Sequence, residues 1–553
     1  EGGRGNSDDK LSRLAWLAGV ASAAPVVVVD KLFHNLLTFP RGGSGGGQRE
    51  GGHRAWRLSL WVTFGKGNKE NNKALKDIGK GDKENKVLKN IKTAQRIARL
   101  SEVVQVQASL NDETARANTA AAEAVALRLA AAVSLARIEQ LEASAGRLLP
   151  PISATALAAA PAAIEEVYRS YWRPGMHNLA PGLPYWPPPS ATRSVLAEAA
   201  TAEAFGGREL HCYADVRGHP SLLDAIGRKL LRENRVPPEG RRLVVTTGAN
   251  QAFVSTLMAT CAPGDAALVF APYYFTHVVA MQLLGIRPHV VSCDPETLLP
   301  DPAAVARAVT AEGGRLRALV LTSPGNPSGA VIPERMLRAL VDEAVRLGLW
   351  VISDEAYEHF VFDGAAHYSP AADVRARDNV LCLFTMSKSY GMAGWRVGYV
   401  SYPERLDEVM LKIQDTVPTH ATTLAQQLAA AALDEGADWV RARVASLEPT
   451  RAALWAVVRE TLELTGAHSV RGTGALYAFV RLPVGVSDEE AVRVLADAHS
   501  VLVLPGSSAG MAGHLRISFA SVEPGSEAAT AALGALRAGL DAIAASSRRV
   551  GGL

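Results

Sequence analysis

The sequence predicts an α/β protein built on one large, mostly parallel β-sheet and preceded by a low-complexity, partly helical extension. Short β-branched apolar runs recur through the later part of the 553-residue chain, amphipathic stretches fill most of the gaps between them, and composition changes abruptly near residue 150. Strands that are apolar on both faces and alternate with helices build a parallel sheet covered on both sides.

The strands are expected at 243–247, 267–271, 288–292, 318–323, 349–353, 380–385 and 395–401, seven in all. Each is a run of five to seven mostly apolar residues, the length of a buried strand rather than a helix. Helices at 221–233 and 334–347 carry apolar residues at three- and four-residue spacing. Before residue 150, a glycine tract (41–52) leads into a lysine- and asparagine-rich stretch in which 67–71 is echoed by 81–85. A phosphate loop would need a preceding strand and a Gly-Lys-Ser/Thr ending, and the tract has neither. The lysines read as a solvated face. Residues 113–147 are alanine-rich, with Leu127, Val133, Leu135, Ile138 and Leu141 at helical spacing.

Composition excludes several classes. Hydrophobic residues make up 48% and charged residues 20% of the chain, an ordinary globular balance. A net charge of +3 gives no reason to expect nucleic acid as a partner. Cys212, Cys261, Cys293 and Cys382 are too few for a disulfide scaffold and too irregular for a zinc site, which suggests a reducing compartment and no metal. The longest uncharged run, Leu14 to Val29, is broken by Gly19, Ser22 and Pro25 and falls short of a membrane span. A cytoplasmic protein is expected, with organellar targeting by the extension left open.

Ligands of such sheets bind at the carboxyl ends of the strands, so the polar residues there are the candidates for chemistry. Asp354 leaves the apolar run 349–352, and a carboxylate there needs a cationic partner unless it merely caps the next helix. Tyr357 offers a phenol from the same turn. Lys388, in Thr385-Met386-Ser387-Lys388, follows another buried strand. A lysine is usually exposed, but one in a low-dielectric pocket becomes a nucleophilic amine suited to a Schiff base. Arg396 follows eight positions later and, with the hydroxyls of Thr385 and Ser387, could hold a phosphate. Gly248-Ala249-Asn250 passes from strand to helix without bulk, so its backbone N–H groups could bind the same anion. Asn326 stands in Pro324-Gly325-Asn326-Pro327, a sequence that would otherwise be only a turn.

In this order the motifs resemble the class I/II aminotransferases, pyridoxal-phosphate enzymes of fold type I, over about residues 165–545. The resemblance implies a large cofactor-binding domain at 201–414 and a smaller α/β domain at 151–200 and 415–548. It makes Lys388 the internal-aldimine lysine and proton shuttle, and Asp354 the partner of the pyridinium nitrogen. Tyr357 and Asn326 would bond the ring's phenolic oxygen, and Tyr274 would stack on the ring. Gly248, Ala249, Asn250, Thr385 and Arg396 would hold the phosphate. Tyr213 matches a tyrosine that reaches the partner subunit's phosphate, which implies a homodimer with shared sites. Arg516 would grip the substrate α-carboxylate, assisted by Gly182.

Within the family, Tyr185-Trp186-Pro187-Pro188 beside Gly182, and Pro272-Tyr273-Tyr274-Phe275, are similar to plant-type aromatic aminotransferases. An amino acid with an aromatic or other neutral side chain and a 2-oxo acid are the implied substrates. The aromatic pair Tyr185 and Trp186 reads equally as a lip for that side chain or as packing. A β/γ-lyase or an aminocyclopropane-carboxylate synthase-like enzyme would use the same residues. A ligand-sensing regulator would need a DNA-binding head in the first part, where no helix-turn-helix pattern is seen.

Overall fold

A computed structural model of the chain describes residues 150–462 and 468–550. The glycine tract, the short duplication, the run 14–29 and the helix expected at 113–147 lie outside the described residues. Ser153–Leu553 form one compact unit.

Strand β1 (His177–Asn178) precedes the main sheet. That sheet contains β2 (Arg241–Thr246), β3 (Ala266–Ala271), β4 (Arg287–Ser292), β5 (Leu316–Thr322), β6 (Trp350–Asp354), β7 (Val380–Thr385) and β8 (Gly398–Pro403). Their order is β2-β8-β7-β6-β5-β3-β4, and β8 alone runs against its two neighbours. All seven expected strands are present. β8 begins three residues later than expected, because 393–395 form a 3-10 turn and Arg396 adopts a left-handed φ of 55°.

β3, β7 and β8 are buried at every position, and alternate side chains feed two cores. Val244, Val269, Val320, Ile352, Leu383 and Val400 pack on one face with Phe253 and Leu257 of helix Ala249–Thr260. Val245, Leu268, Leu319, Val351, Phe384 and Tyr399 pack on the other with helices Pro220–Glu233 and Glu334–Arg346. The edge strand β4 is only half-buried, as an edge permits.

A second sheet joins β9 (Tyr477–Arg481), β11 (Leu504–Pro505) and β12 (His514–Ser518), all antiparallel, while β1 pairs in parallel with β10 (Val501–Leu502). Helix Glu527–Val550 is long and apolar enough to cross a membrane, yet Ala532, Leu536, Leu540 and Ala544 are buried in the core. That pattern is a packed stripe of a core helix.

Register gathers the site. Thr322 pairs with Asp354, Asp354 with Leu383, and Thr385 and Thr246 both with Gly398. The carboxyl ends of β2, β5, β6 and β7 therefore meet the amino end of β8 at one edge of the sheet.

Candidate active site

Asp354 closes β6 and is buried. Its Oδ1 accepts a hydrogen bond from the Ala356 amide at 3.0 Å, and its Oδ2 lies 3.0 Å from His277 Nε2. The residues that follow form turns, so Asp354 caps no helix. His277 is itself buried and stacks on Phe253, with ring centroids 4.0 Å apart. It also meets Tyr274 edge-on, at 5.2 Å. Sequence reasoning missed His277, although it stands one helical turn beyond Tyr274.

Lys388 is half-buried, and its Nζ donates to the Gly182 carbonyl at 2.7 Å. Burial and the positive charges of Arg516 and Arg396 bring its ammonium pKa down to about 8, against an opposing pull from Asp354. The Tyr357 ring centre lies 6.0 Å from Nζ. Burial, with Tyr477 alongside, pushes the Tyr357 phenol well above its usual value.

Arg516, on β12, is buried. Its Nη1 donates to Asn326 Oδ1 at 2.9 Å and its Nη2 to the Ala180 carbonyl, while its Nε has no partner among the described residues. The guanidinium lies 4.4 Å from the centre of the Tyr477 ring. Segment 179–182 thus receives both cations, Arg516 on Ala180 and Lys388 on Gly182. A Cβ at position 182 would collide with the Tyr477 hydroxyl, so glycine is required there.

The anion cradle lies at the end of β2. Gly248, at φ 92°, opens helix Ala249–Thr260, which no side chain caps. Its first-turn N–H groups are therefore available to an anion. Arg396 is exposed above this turn, with Nη1 donating to Ala393 at 2.9 Å and Nη2 to Thr247 at 3.2 Å. A Cβ on Gly248 would come within 2.5 Å of the guanidinium. Thr385 Oγ1 bonds Ser387 Oγ at 2.9 Å on the neighbouring strand end. Tyr274 reaches Asn250 Oδ1 at 3.5 Å.

These contacts bring Gly182, Gly248, Ala249, Asn250, Tyr274, Asn326, Asp354, Tyr357, Thr385, Lys388, Arg396 and Arg516 to one edge of the sheet. Tyr213 is not among them. The residue is 87% exposed, and among the described residues its ring meets His420 edge-on, at 6.0 Å. Tyr185 turns to Ser446, with the hydroxyls 2.9 Å apart, and Trp186 is buried, its Nε1 donating to the Ser389 carbonyl at 3.3 Å. Both aromatics hold neighbouring segments, the packing alternative of the sequence reading.

Beneath Lys388 lies a polar layer that the sequence did not reveal. Lys229, fully buried in helix Pro220–Glu233, pairs with Glu358 and donates to Asn234 at 2.8 Å. His359 joins Ser389 Oγ at 2.9 Å to Glu233 at 3.0 Å. The segment after β6 is thereby tied to the residue next to Lys388. Burial would raise the Glu358 pKa, but Lys229, His359 and His367 outweigh it and hold the carboxyl at about 2.

The donor set suits an aldehyde-bearing pyridine phosphate. It offers an amine with a lowered pKa, a buried carboxylate for a ring nitrogen, an open helix terminus with an arginine for a phosphate, and an unpartnered buried Nε for a carboxylate. Comparison with known proteins agrees. Residues 187–531 match the family model for aminotransferase class I and II. An aromatic aminotransferase of Arabidopsis thaliana is 36% identical over 372 residues, 66% of this chain and 90% of that protein. The aspartate aminotransferase of Thermus thermophilus with maleate superposes at a TM-score of 0.62, with 30% identity over 71% of this chain and all of that one (100%). An aromatic aminotransferase from Pyrococcus horikoshii superposes at 0.60, with 29% identity over 69% of this chain and 99% of that one. The chain belongs to the class I and II aminotransferases. It is a pyridoxal-phosphate-dependent enzyme of fold type I.

Proposed function

We propose that this aminotransferase takes an amino acid with an aromatic or other neutral side chain as donor and a 2-oxo acid as acceptor. The observation that carries this reading is the surrounding of Arg516. Its guanidinium, whose Nε has no partner among the described residues, lies against the rings of Tyr477 at 4.4 Å and Phe275 at 5.9 Å, and Tyr274 packs on Phe275. One carboxylate is thus provided for, and apolar surface flanks it. The relatives named for aromatic substrates support the same choice.

Pyridoxal phosphate, when bound, supplies a ring that accepts the electron pair left by departure of the amino acid's α-proton. The chain's own residues do the rest. Arg396, Thr385 and the N–H groups of Gly248, Ala249 and Asn250 would hold the phosphate. Asp354, oriented by His277, would keep a proton on the ring nitrogen, the kind of preorganised charge that dominates many catalytic effects. Tyr274 would cover the ring, and Tyr357 and Asn326 would bond its phenolic oxygen. Arg516 would fix the α-carboxylate with the Gly182 backbone, orienting the α-proton toward Lys388. Lys388 Nζ, poised with a pKa near 8, would take that proton and return it.

A homodimer is part of this reading, because Tyr213 stands exposed where it could serve a partner's phosphate. The ligands would lie between a large domain at 201–414 and a smaller one at 151–200 and 415–548. The free cysteines suit a reducing compartment such as the cytoplasm. The test is a donor screen of the holoenzyme with 2-oxoglutarate, in which chromatography follows the oxo-acid product. Phenylalanine, tyrosine, tryptophan or methionine should exceed aspartate in kcat/KM. Preference for aspartate would overturn the substrate class, and ammonia release in place of oxo-acid exchange would favour a lyase.

A further inference from the structure

Tyr357 and Tyr477 come from segments 120 residues apart, and their hydroxyl oxygens meet at 2.6 Å. Both side chains are buried. The rings stand at 75° with centroids 5.7 Å apart, so the contact at 2.6 Å is between hydroxyls. Packing alone would be met by phenylalanine at 477, without the cost of burying a second hydroxyl. The Tyr477 hydroxyl also fills the space that glycine leaves at position 182, and its ring lies against the Arg516 guanidinium. One side chain therefore touches the phenol, the backbone that receives Lys388, and the arginine.

We propose that Tyr477 is a positioning residue that donates its proton to the Tyr357 oxygen and so directs the Tyr357 proton toward the cofactor's ring oxygen. The inference rests on the reading of Tyr357 as the partner of that ring oxygen. A phenol has a single proton, so a Tyr357 that gives its own away can only accept from Tyr477. Acceptance polarises the Tyr357 O–H and strengthens its hydrogen bond to a ring oxyanion. The bound chromophore then holds its anionic oxygen to lower pH than it would without Tyr477.

The experiment is a visible-absorbance pH titration of the holoenzyme for the wild type, Tyr477→Phe, Tyr357→Phe and the double variant. Tyr477→Phe should raise the chromophore's pKa by about half a unit to one unit, the scale of one net hydrogen bond. Tyr357→Phe should raise it further, and Tyr477→Phe should add nothing in that background. KM for the amino donor should stay within about twofold in Tyr477→Phe, since the ring against Arg516 remains. An unmoved titration in Tyr357→Phe would overturn the placement of Tyr357 on the cofactor. A shift in Tyr357→Phe without one in Tyr477→Phe, or a Tyr477→Phe shift that persists in the double variant, would overturn the relay while leaving the site reading intact.

Discussion

Lys388 offers a quantity that can be checked without turnover. Its ammonium pKa is about 8 where an ordinary lysine has 10.5. The difference favours the neutral amine by about 3 kcal/mol. At pH 7.5 roughly a quarter of the molecules would carry a free amine at 388, against about one in a thousand for a solvated lysine, a ratio of about 200. Limiting reductive methylation of the apoprotein, with extents read lysine by lysine by mass spectrometry, reports the neutral fraction directly. Lys412, at 71% side-chain exposure, is the internal control. Lys388 should reach half its maximal rate near pH 8, well below the ordinary lysine value of 10.5. The same shift acts on the apoprotein's folding. Below pH 8 the folded state carries the full cost of a charged Lys388, and stability returns as pH climbs from 8 toward 10.5. A Lys388 midpoint at the ordinary lysine value of 10.5 would refute the electrostatic account of the site.

Three further outcomes follow from single contacts. Gly248→Ala places a Cβ at φ 92° and against Arg396, so the apoprotein's Kd for pyridoxal phosphate should rise at least about tenfold in a fluorescence titration. Arg516→Lys keeps a charge but loses the fork that serves Asn326 and Ala180; KM for the amino donor should rise about tenfold or more with cofactor affinity unchanged. Lys229→Met leaves Glu358 buried without its main partner and should cost about 3–5 kcal/mol in urea unfolding at neutral pH, much of which Lys229→Met/Glu358→Gln recovers. In the wild type the Glu358 contribution is fully present above the ordinary carboxylate pKa of 4.5 and disappears as pH falls toward 2. A loss under about 1 kcal/mol for Lys229→Met would show that the pair is not needed.

The sheet was legible because its strands are buried on both faces, and such runs of Val, Leu and Ile have no other comfortable place. The error at β8 has a local cause. Trp395 and Val397 look like strand residues, but Arg396 between them takes a left-handed φ of 55° so that its guanidinium can return to Thr247 and Ala393. The site residues were legible where each occupies a loop at a strand end, since one short motif then carries both the turn and the chemistry. His277, Tyr477 and Lys229 were not. Tyr477 reads as an aromatic in a strand and Lys229 as the polar face of an amphipathic helix. Their roles arise only when tertiary packing brings in Tyr357 and Glu358 from 120 and 129 positions away.

The charges of the site divide in a way that explains how Lys388 stays reactive. The Lys229–Glu358 pair is balanced within itself, and the upper layer sets Arg396, Arg516 and Lys388 against Asp354. That layer has an excess of positive charge, which suits the phosphate proposed at Gly248 and the carboxylate proposed at Arg516. Each arginine lowers the lysine's pKa less than burial does. Removing Arg516 should therefore return only part of the shift toward 10.5, whereas opening the pocket to water should return a larger part. An Arg516→Leu variant separates the two causes, because it deletes the charge and keeps the pocket filled. Its Lys388 midpoint should lie above 8 and well short of 10.5 in the methylation profile. A midpoint at the ordinary lysine value would assign the whole effect to the guanidinium and remove burial from the explanation.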